Sequence, residues 1–273
     1  MDRVFNNEYG LAENHRYLYN SLIRLDQVCK ENNIKYSLHG GTLLGAERDG
    51  HFIPWDDDAD ISMIRSQFEQ LKNVISNKIN GFSIVEGDEE APYVSRIVDN
   101  TQENGKYNID VFIWDYVTGN KIGQFLKINY IRFLQGTLKG NIDYSAYKGA
   151  NRVMVCLAHI AGLPFTKKFK LRYYSFISRR LLTGKKECIH RSNDAFVGVS
   201  YVFDSDYMKE YANISLEGYD FMVSKRYREF LERNYGKNYM IPPSESNRGA
   251  EHSSIRKQFI PEEDKNKKFG ILR

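Results

Sequence analysis

Long apolar runs are missing from this sequence. The longest, Val153 to Phe165, falls short of the roughly 20 residues a membrane-spanning helix needs. Met1-Asp2-Arg3 is not followed by the apolar segment of a secretion signal. We therefore expect a cytoplasmic protein. Cysteine is scarce: Cys29, Cys156 and Cys188 are odd in number, widely separated and without metal-ligand spacing, which argues against a disulfide framework or a zinc site. Buried small apolar thiols are the simpler reading. No Gly/Ser-rich linker, internal repeat or low-complexity segment divides the chain. Its 273 residues, 41% apolar and 14% aromatic, suffice for one large domain or a domain with an insertion.

Two common phosphate loops are absent as well. Gly40, Gly41 and Gly45 do not fit G-x-G-x-x-G, and no Gly-Lys-Ser/Thr follows them, so a dinucleotide fold is unsupported. Asp56, Asp58 and Asp60 superficially copy the first ligands of an EF-hand loop. That reading fails because Ile61 stands where the loop needs Gly and Gln67 where it needs Glu. Acidic residues also nearly vanish between Lys121 and Lys186. There fourteen Lys and Arg face Asp143 alone, a local charge of +13 that leaves −9 for the rest of a chain whose net charge is +4. An acidic portion joined to a basic, aromatic portion suggests two jobs, the second facing something anionic.

What the sequence does have is a dense centre. His39 to Met63 combines a small-residue turn with four aspartates in five positions, Asp56, Asp57, Asp58 and Asp60. So many like charges raise carboxylate pKa values and cost stability unless a cation or a basic partner sits among them, a hard cation being the simplest answer. Around this centre the periodicities predict an amphipathic helix over about 13–32, marked by Leu18, Leu22, Leu25 and Cys29. A short strand over 34–39 follows, then the Gly40-Gly41 turn and a helix capped by Thr42. A strand over 58–64 sets Asp58, Asp60 and Ser62 on one face, so its two carboxylates project side by side. Beyond it we expect a helix over 64–79 and strands over 82–85, 93–98 and 109–114. Asp110, alone in that last apolar strand, must be paired, protonated or bound to metal. Residues 124–186 read as mostly helical, and 166–186 mixes eight basic residues with aromatics, suited to an anionic membrane surface, an acidic glycan or a plain solvated face. Two strands around Glu217-Gly218 and a helix from Ser224 to Tyr235, closed by Gly236, complete the pattern.

A strand, a Gly-Gly turn, a short helix, a strand with Asp-x-Asp and a later strand with one more Asp match the order of polymerase-β-type nucleotidyltransferases. The string Gly-Gly-Thr-Leu-Leu-Gly-Ala-Glu-Arg, followed by Phe-Ile-Pro-Trp-Asp-Asp-Asp-Ala-Asp-Ile, closely resembles the signature of the LicD family of phosphotransferases, which includes fukutin and the fukutin-related protein. Arg96-Ile97-Val98, Ile109-Asp110-Val111-Phe112 with Asp115, and Leu216 through Pro243 extend the resemblance; Ala59, where the family usually has Ile, departs from it. The basic stretch over 121–186 matches nothing in the family.

The resemblance implies an α/β (α+β) fold with a mixed, mainly antiparallel sheet flanked by helices. Together with the charge asymmetry, it suggests a catalytic core over 1–120, a basic helical insertion or subdomain over 121–190 and a completing part over 191–273. The implied reaction moves a phosphorylated small alcohol, typically phosphocholine, from a CDP-linked donor to a hydroxyl of a glycan, lipopolysaccharide or teichoic acid precursor. Asp58, Asp60 and Asp110 would be the catalytic carboxylates and hold Mg²⁺, or Mn²⁺. Gly40, Gly41, Thr42 and Arg48 would bind the donor's phosphates, while Trp55, Trp114 and Tyr116 are candidates to enclose a quaternary ammonium. The alternative role of Arg48 is to neutralise the Asp56–Asp58 cluster, and His252 is more readily a surface residue than a ligand. The expected partners are the donor, a glycan or lipid-linked glycan, and the inner face of an anionic membrane; no nucleic acid is expected. Transfer of ethanolamine, glycerol or ribitol phosphate or an aminoalkylphosphonate, nucleotidyl transfer, and a non-catalytic nucleotide- or glycan-binding role are the alternatives.

Overall fold

In the computed structural model, residues 4–76, 81–86, 92–102, 108–140, 142, 144–146, 148–195, 197–245 and 248 are described. Helix α1 (Ala12–Glu31) buries Leu18, Leu22, Leu25 and Cys29, the stripe its periodicity predicts. Strand β1 is only Ser37–Leu38, and α2 (Gly40–Arg48) begins directly after it. That start corrects the expected Thr42 cap: His39 is the extended N-cap residue, and Thr42 lies inside the first turn.

Strand β2 (Ala59–Ile64) and helix α3 (Arg65–Ser76) follow, then β3 (Phe82–Glu86), β4 (Ser95–Asp99) and the ten-residue β5 (Asn108–Val117). Three helices come next, α4 (Lys121–Leu138), α5 (Gly149–Gly162) and α6 (Lys167–Arg180). Asn120 caps α4 by accepting from the amides of Ile122 and Gly123, and the Thr166 hydroxyl accepts from Phe169 N–H at the start of α6. Two short strands, β6 (Cys188–Arg191) and β7 (Val202–Asp204), had no expectation in the sequence. The chain then forms the hairpin β8 (Tyr211–Leu216) and β9 (Tyr219–Ser224), turned by Glu217 and Gly218 with positive φ, and helix α7 (Tyr227–Tyr235).

Among the described residues one sheet holds seven strands in the order β1-β2-β5-β4-β3, with β6 added to β5 and β7 to β6. Only the β2–β5 pair is parallel, so the sheet is mixed and mainly antiparallel, and the fold class is α/β. Strand β5 has two neighbourhoods: its first half pairs β4, and residues 114–117 pair β6. The main core joins α1, α2, α3, the sheet, the hairpin and α7, with Trp114, Tyr207, Phe221 and Phe230 fully enclosed. A smaller cluster, centred on Ile131, Tyr174 and Ile177, fixes α4 and α6 to the segment carrying Val199. Lys127 ties these helices to the sheet. Its buried ammonium donates to Tyr116 O at 2.6 Å and Ser178 O at 2.8 Å, and burial lowers its pKa to about 8.

Candidate active site

The register of the sheet places the carboxylates. Asp60 of β2 lies directly beside Asp110 of β5, and Asp110 directly beside Arg96 of β4, so the three side chains form one row across adjacent strands. Arg96 Nε donates to Asp110 Oδ1 at 2.8 Å. Asp58 stands just before β2, two residues from Asp60. Asp56 to Asp58 arrive from a loop that is held from both sides. His15 Nε2 donates to Asp56 O at 2.7 Å and Asn14 Nδ2 to Asp57 O at 2.8 Å, while Glu217 accepts from Phe52 N–H at 3.1 Å and bonds His51. Helix α1 and the C-terminal hairpin thus fix the backbone of the acidic loop.

The glycine turn accepts these carboxylates. A Cβ on Gly40 would overlap the carboxylate of Asp60, and one on Gly41 would overlap that of Asp56. Gly40 also has φ +53°, where side chains are strained. Thr42 is buried and its hydroxyl accepts from Asp60 N–H at 2.9 Å, so it braces β2 instead of facing the cleft.

A cleft of about 700 Å³ opens over this centre, lined by Gly40, Gly41, Asp56, Asp58, Asp60 and Asp110, and by Arg48, Trp55 and Arg96. Its volume suits a small organic ligand. Arg48 pairs with Asp49 rather than with the Asp56–Asp58 cluster, and its guanidinium lies 5.9 Å from the Trp55 ring; Arg248 lies 5.0 Å from the same ring. Trp114 is elsewhere. It is 0% exposed, packed edge-on to His39 and Phe203, which takes it out of reach of a ligand in the cleft. Tyr116 is outside the lining too, with Lys186 over its ring. His252 lies outside the described residues.

Sequence reasoning missed the far wall, which includes Tyr93, Arg191, Asp194, Tyr201 and Tyr235. Arg191 donates to His39 Nε2 at 2.8 Å, and its Nε lies 2.9 Å from Asp194 Oδ2. Burial and then the charge of Arg191 hold His39 well below its ordinary pKa, so it is a neutral ring accepting at Nε2. Burial first, then Asp58, Asp110, Asp56 and Asp194, push the Asp60 carboxyl well above the usual range.

Five carboxylates therefore share the cleft with three guanidinium groups, one of them engaged by Asp49. Among the described residues, oxygens of Asp56, Asp57 and Asp58 lie within 4.8 Å of one another. A hard oxygen donor set with surplus negative charge fits a divalent cation such as Mg²⁺.

Residues 33–132 match the family model described as LicD/FKTN/FKRP, nucleotidyltransferase domain. They belong to the LicD family. The LicD region spans the glycine turn, the acidic loop and all of β5, and it ends inside α4. A relative covering nearly the whole chain is the lipopolysaccharide cholinephosphotransferase LicD of Haemophilus influenzae, 26% identical over 256 residues, 86% of this chain and 93% of that one. Two shorter matches are uncharacterised rickettsial proteins: RP689 of Rickettsia prowazekii, 39% identical over 69 residues (22% of this chain, 26% of that one), and RT0683 of Rickettsia typhi, 40% identical over 57 residues (20% and 18%). Among solved structures, terminal uridylyl transferase 4 of Trypanosoma brucei with bound GTP aligns over 83% of this chain and 80% of its own at 13% identity, with a TM-score of 0.25.

Proposed function

We propose that this protein transfers a phosphorylated small alcohol, phosphocholine foremost, from a CDP-linked donor to a hydroxyl of a lipopolysaccharide or related surface-glycan precursor, releasing CMP. The observation that carries the reading is the row of Asp60, Asp110 and Arg96 beside Asp58 and the Gly40-Gly41 turn, inside one cleft. The name of the Haemophilus influenzae relative supplies the transferred group and acceptor class.

Asp58, Asp60 and Asp110 would hold Mg²⁺, with Asp56 at hand. When bound, the cation polarises the phosphorus under attack and neutralises the departing phosphate. Asp110 receives the proton of the attacking hydroxyl as its oxygen bonds to the distal phosphorus of the donor, and the pyrophosphate P–O bond breaks toward CMP. Arg96 orients Asp110 and offsets its charge. The rings of Trp55, Tyr93, Tyr201 and Tyr235 on the cleft wall are the groups a quaternary ammonium would meet. The acceptor would be reached at the cytoplasmic face of a membrane.

The test is CMP release from a panel of CDP-alcohols and CDP-aminoalkylphosphonates, with Mg²⁺ and with EDTA, alongside acceptor and direct donor binding. Metal-dependent CMP from one donor, lost in Asp58→Asn, is the expected outcome. Pyrophosphate release from a nucleoside triphosphate instead would replace this reading with nucleotidyl transfer.

A further inference from the structure

The helical layer after the LicD region has an unusual outer face. Among the described residues, twelve of the eighteen large exposed hydrophobic side chains fall between Ile122 and Leu182. On α4 the exposed side chains are Ile122, Phe125 and Leu126, 55–71% accessible. On α5 they are Val153, Leu157 and Ile160, spaced four and three apart and so on one face. Phe169, Tyr173 and Phe176 do the same along α6, and Phe165 just before it continues the row, with ring centroids 5.0 Å apart for Phe165 and Phe169 and 6.3 Å for Phe169 and Tyr173. The hydroxyls of Tyr130 and Tyr173 meet at 2.8 Å, so α4 touches α6 beside the exposed ring of Tyr173.

The other exposed flank of α6 is basic. Lys168, Arg172 and Arg179, together with Lys72 of α3, line an open groove of about 840 Å³. Glu69, which pairs with Arg179, is the acidic side chain met there. No helix among the described residues is long and apolar enough to cross a membrane. The face is thus a predominantly basic surface threaded with aromatic and aliphatic side chains, on helices too polar to insert across a bilayer.

We propose that the outer face of α4, α5 and α6 docks this protein onto an anionic lipid bilayer, the apolar side chains entering the interface and the α6–α3 groove holding lipid phosphates. Charge decides the occupant. A protein partner presents both signs, whereas a leaflet containing phosphatidylglycerol presents only the one that Lys72, Lys167, Lys168, Arg172 and Arg180 along the groove complement. Lys and Arg stems can lie along the apolar surface with their heads at the phosphates, and aromatic rings favour that depth. The inference stands on lipid binding alone and does not need the transfer reaction.

The experiment is flotation of the full chain with vesicles of phosphatidylcholine, alone and with about 30% phosphatidylglycerol, at salt between about 0.05 and 0.5 M. Wild type should float with the anionic vesicles and partly persist at the higher salt. The variant Phe125→Ser/Phe169→Ser/Phe176→Ser keeps every charge, and its partitioning should fall about tenfold or more. Lys168→Gln/Arg172→Gln/Arg180→Gln should lose the preference for anionic vesicles. Both sets are exposed, so circular dichroism and CMP release from the donor should match wild type, separating this proposal from the catalytic one. Wild type that fails to float at low salt would overturn it, as would apolar variants that float undiminished. A wild-type dimer turned monomeric by the apolar substitutions, without lipid binding, would assign the face to a second copy.

Discussion

The carboxylate of Asp56 fills the space that a Cβ on Gly41 would need. Gly41 has an ordinary helical backbone, so Gly41→Ala adds little strain and acts by displacing Asp56. We expect CMP release to fall by about 10²-fold, the cost of misplacing a charged group at a reacting centre, with the melting temperature little changed. Gly40→Ala, at φ +53° and against Asp60, should lose both activity and stability. Equal stability losses in the two variants would contradict this split.

Asp60 is a buried carboxylate among others of its kind. Asp60→Asn should therefore melt at the same or a higher temperature than wild type in EDTA, while losing activity. Adding Mg²⁺ should raise the melting temperature of wild type and not of the variant, a linkage read by calorimetry without any substrate. Equal Mg²⁺ stabilisation of both proteins would remove Asp60 from the cation site.

Three buried histidines set the acid limit. Burial lowers His190 to about 4, holds His39 well below its ordinary value and lowers His15. An unfolded histidine titrates near 6.5, so below that pH the unfolded chain binds protons the folded one refuses. Stability should decline as pH falls from about 6.5 toward 4, with His190 alone contributing on the order of 3 kcal/mol. A melting temperature flat across that window would show that these rings are accessible.

Asp115 behaves in the opposite sense. Burial would raise its pKa, but the charge and hydrogen bonds of Arg65, with the Ser192 hydroxyl, bring it below the ordinary carboxylate value. Its stabilisation is present above an unfolded value near 3.9 and is lost as pH falls through the folded one. Asp115→Asn leaves Arg65 buried without its charge partner and should cost about 3–5 kcal/mol near pH 7. The deficit relative to wild type, measured by urea unfolding, should shrink toward pH 3.

The two tryptophans separate by location. Trp55→Ala should raise the donor's KM with little loss of stability, because the ring lines the cleft. Trp114→Ala should cost about 3–5 kcal/mol, because it empties a fully enclosed core site. Reversal of the two effects would exchange their roles.

Most of the acidic half was legible because its signals are local. The α1 stripe, the Asp-x-Asp alternation and the lone Asp110 among apolar neighbours each follow from periods of a few residues. The start of α2 was misjudged because two glycines read as a turn, and only the carboxylates of Asp60 and Asp56 show why both can sit in a helical first turn. Trp114 and Tyr116 looked equivalent to Trp55 by sequence distance from the aspartates, but they lie four and six residues along β5 from Asp110, in the half that pairs with β6, where Trp114 is enclosed in the core. Arg191 and Asp194 left no trace. β6 has four residues, and its partner on β5 is more than seventy positions away, so nothing within its own window announces it.

Strand β5 carries Asp110 at one end and, at the other, Tyr116, whose carbonyl receives the ammonium of Lys127 from α4. Six residues of strand span about 20 Å. If α4 to α6 rest on a bilayer as proposed, this strand would be a gauge bar between the lipid surface and the proposed catalytic carboxylates. The acceptor hydroxyl would then be chosen partly by height. A sugar too near the lipid anchor would pass beneath the cleft and one at the right rung of the glycan would meet it, so the strand that pairs the aspartates would also select the position modified.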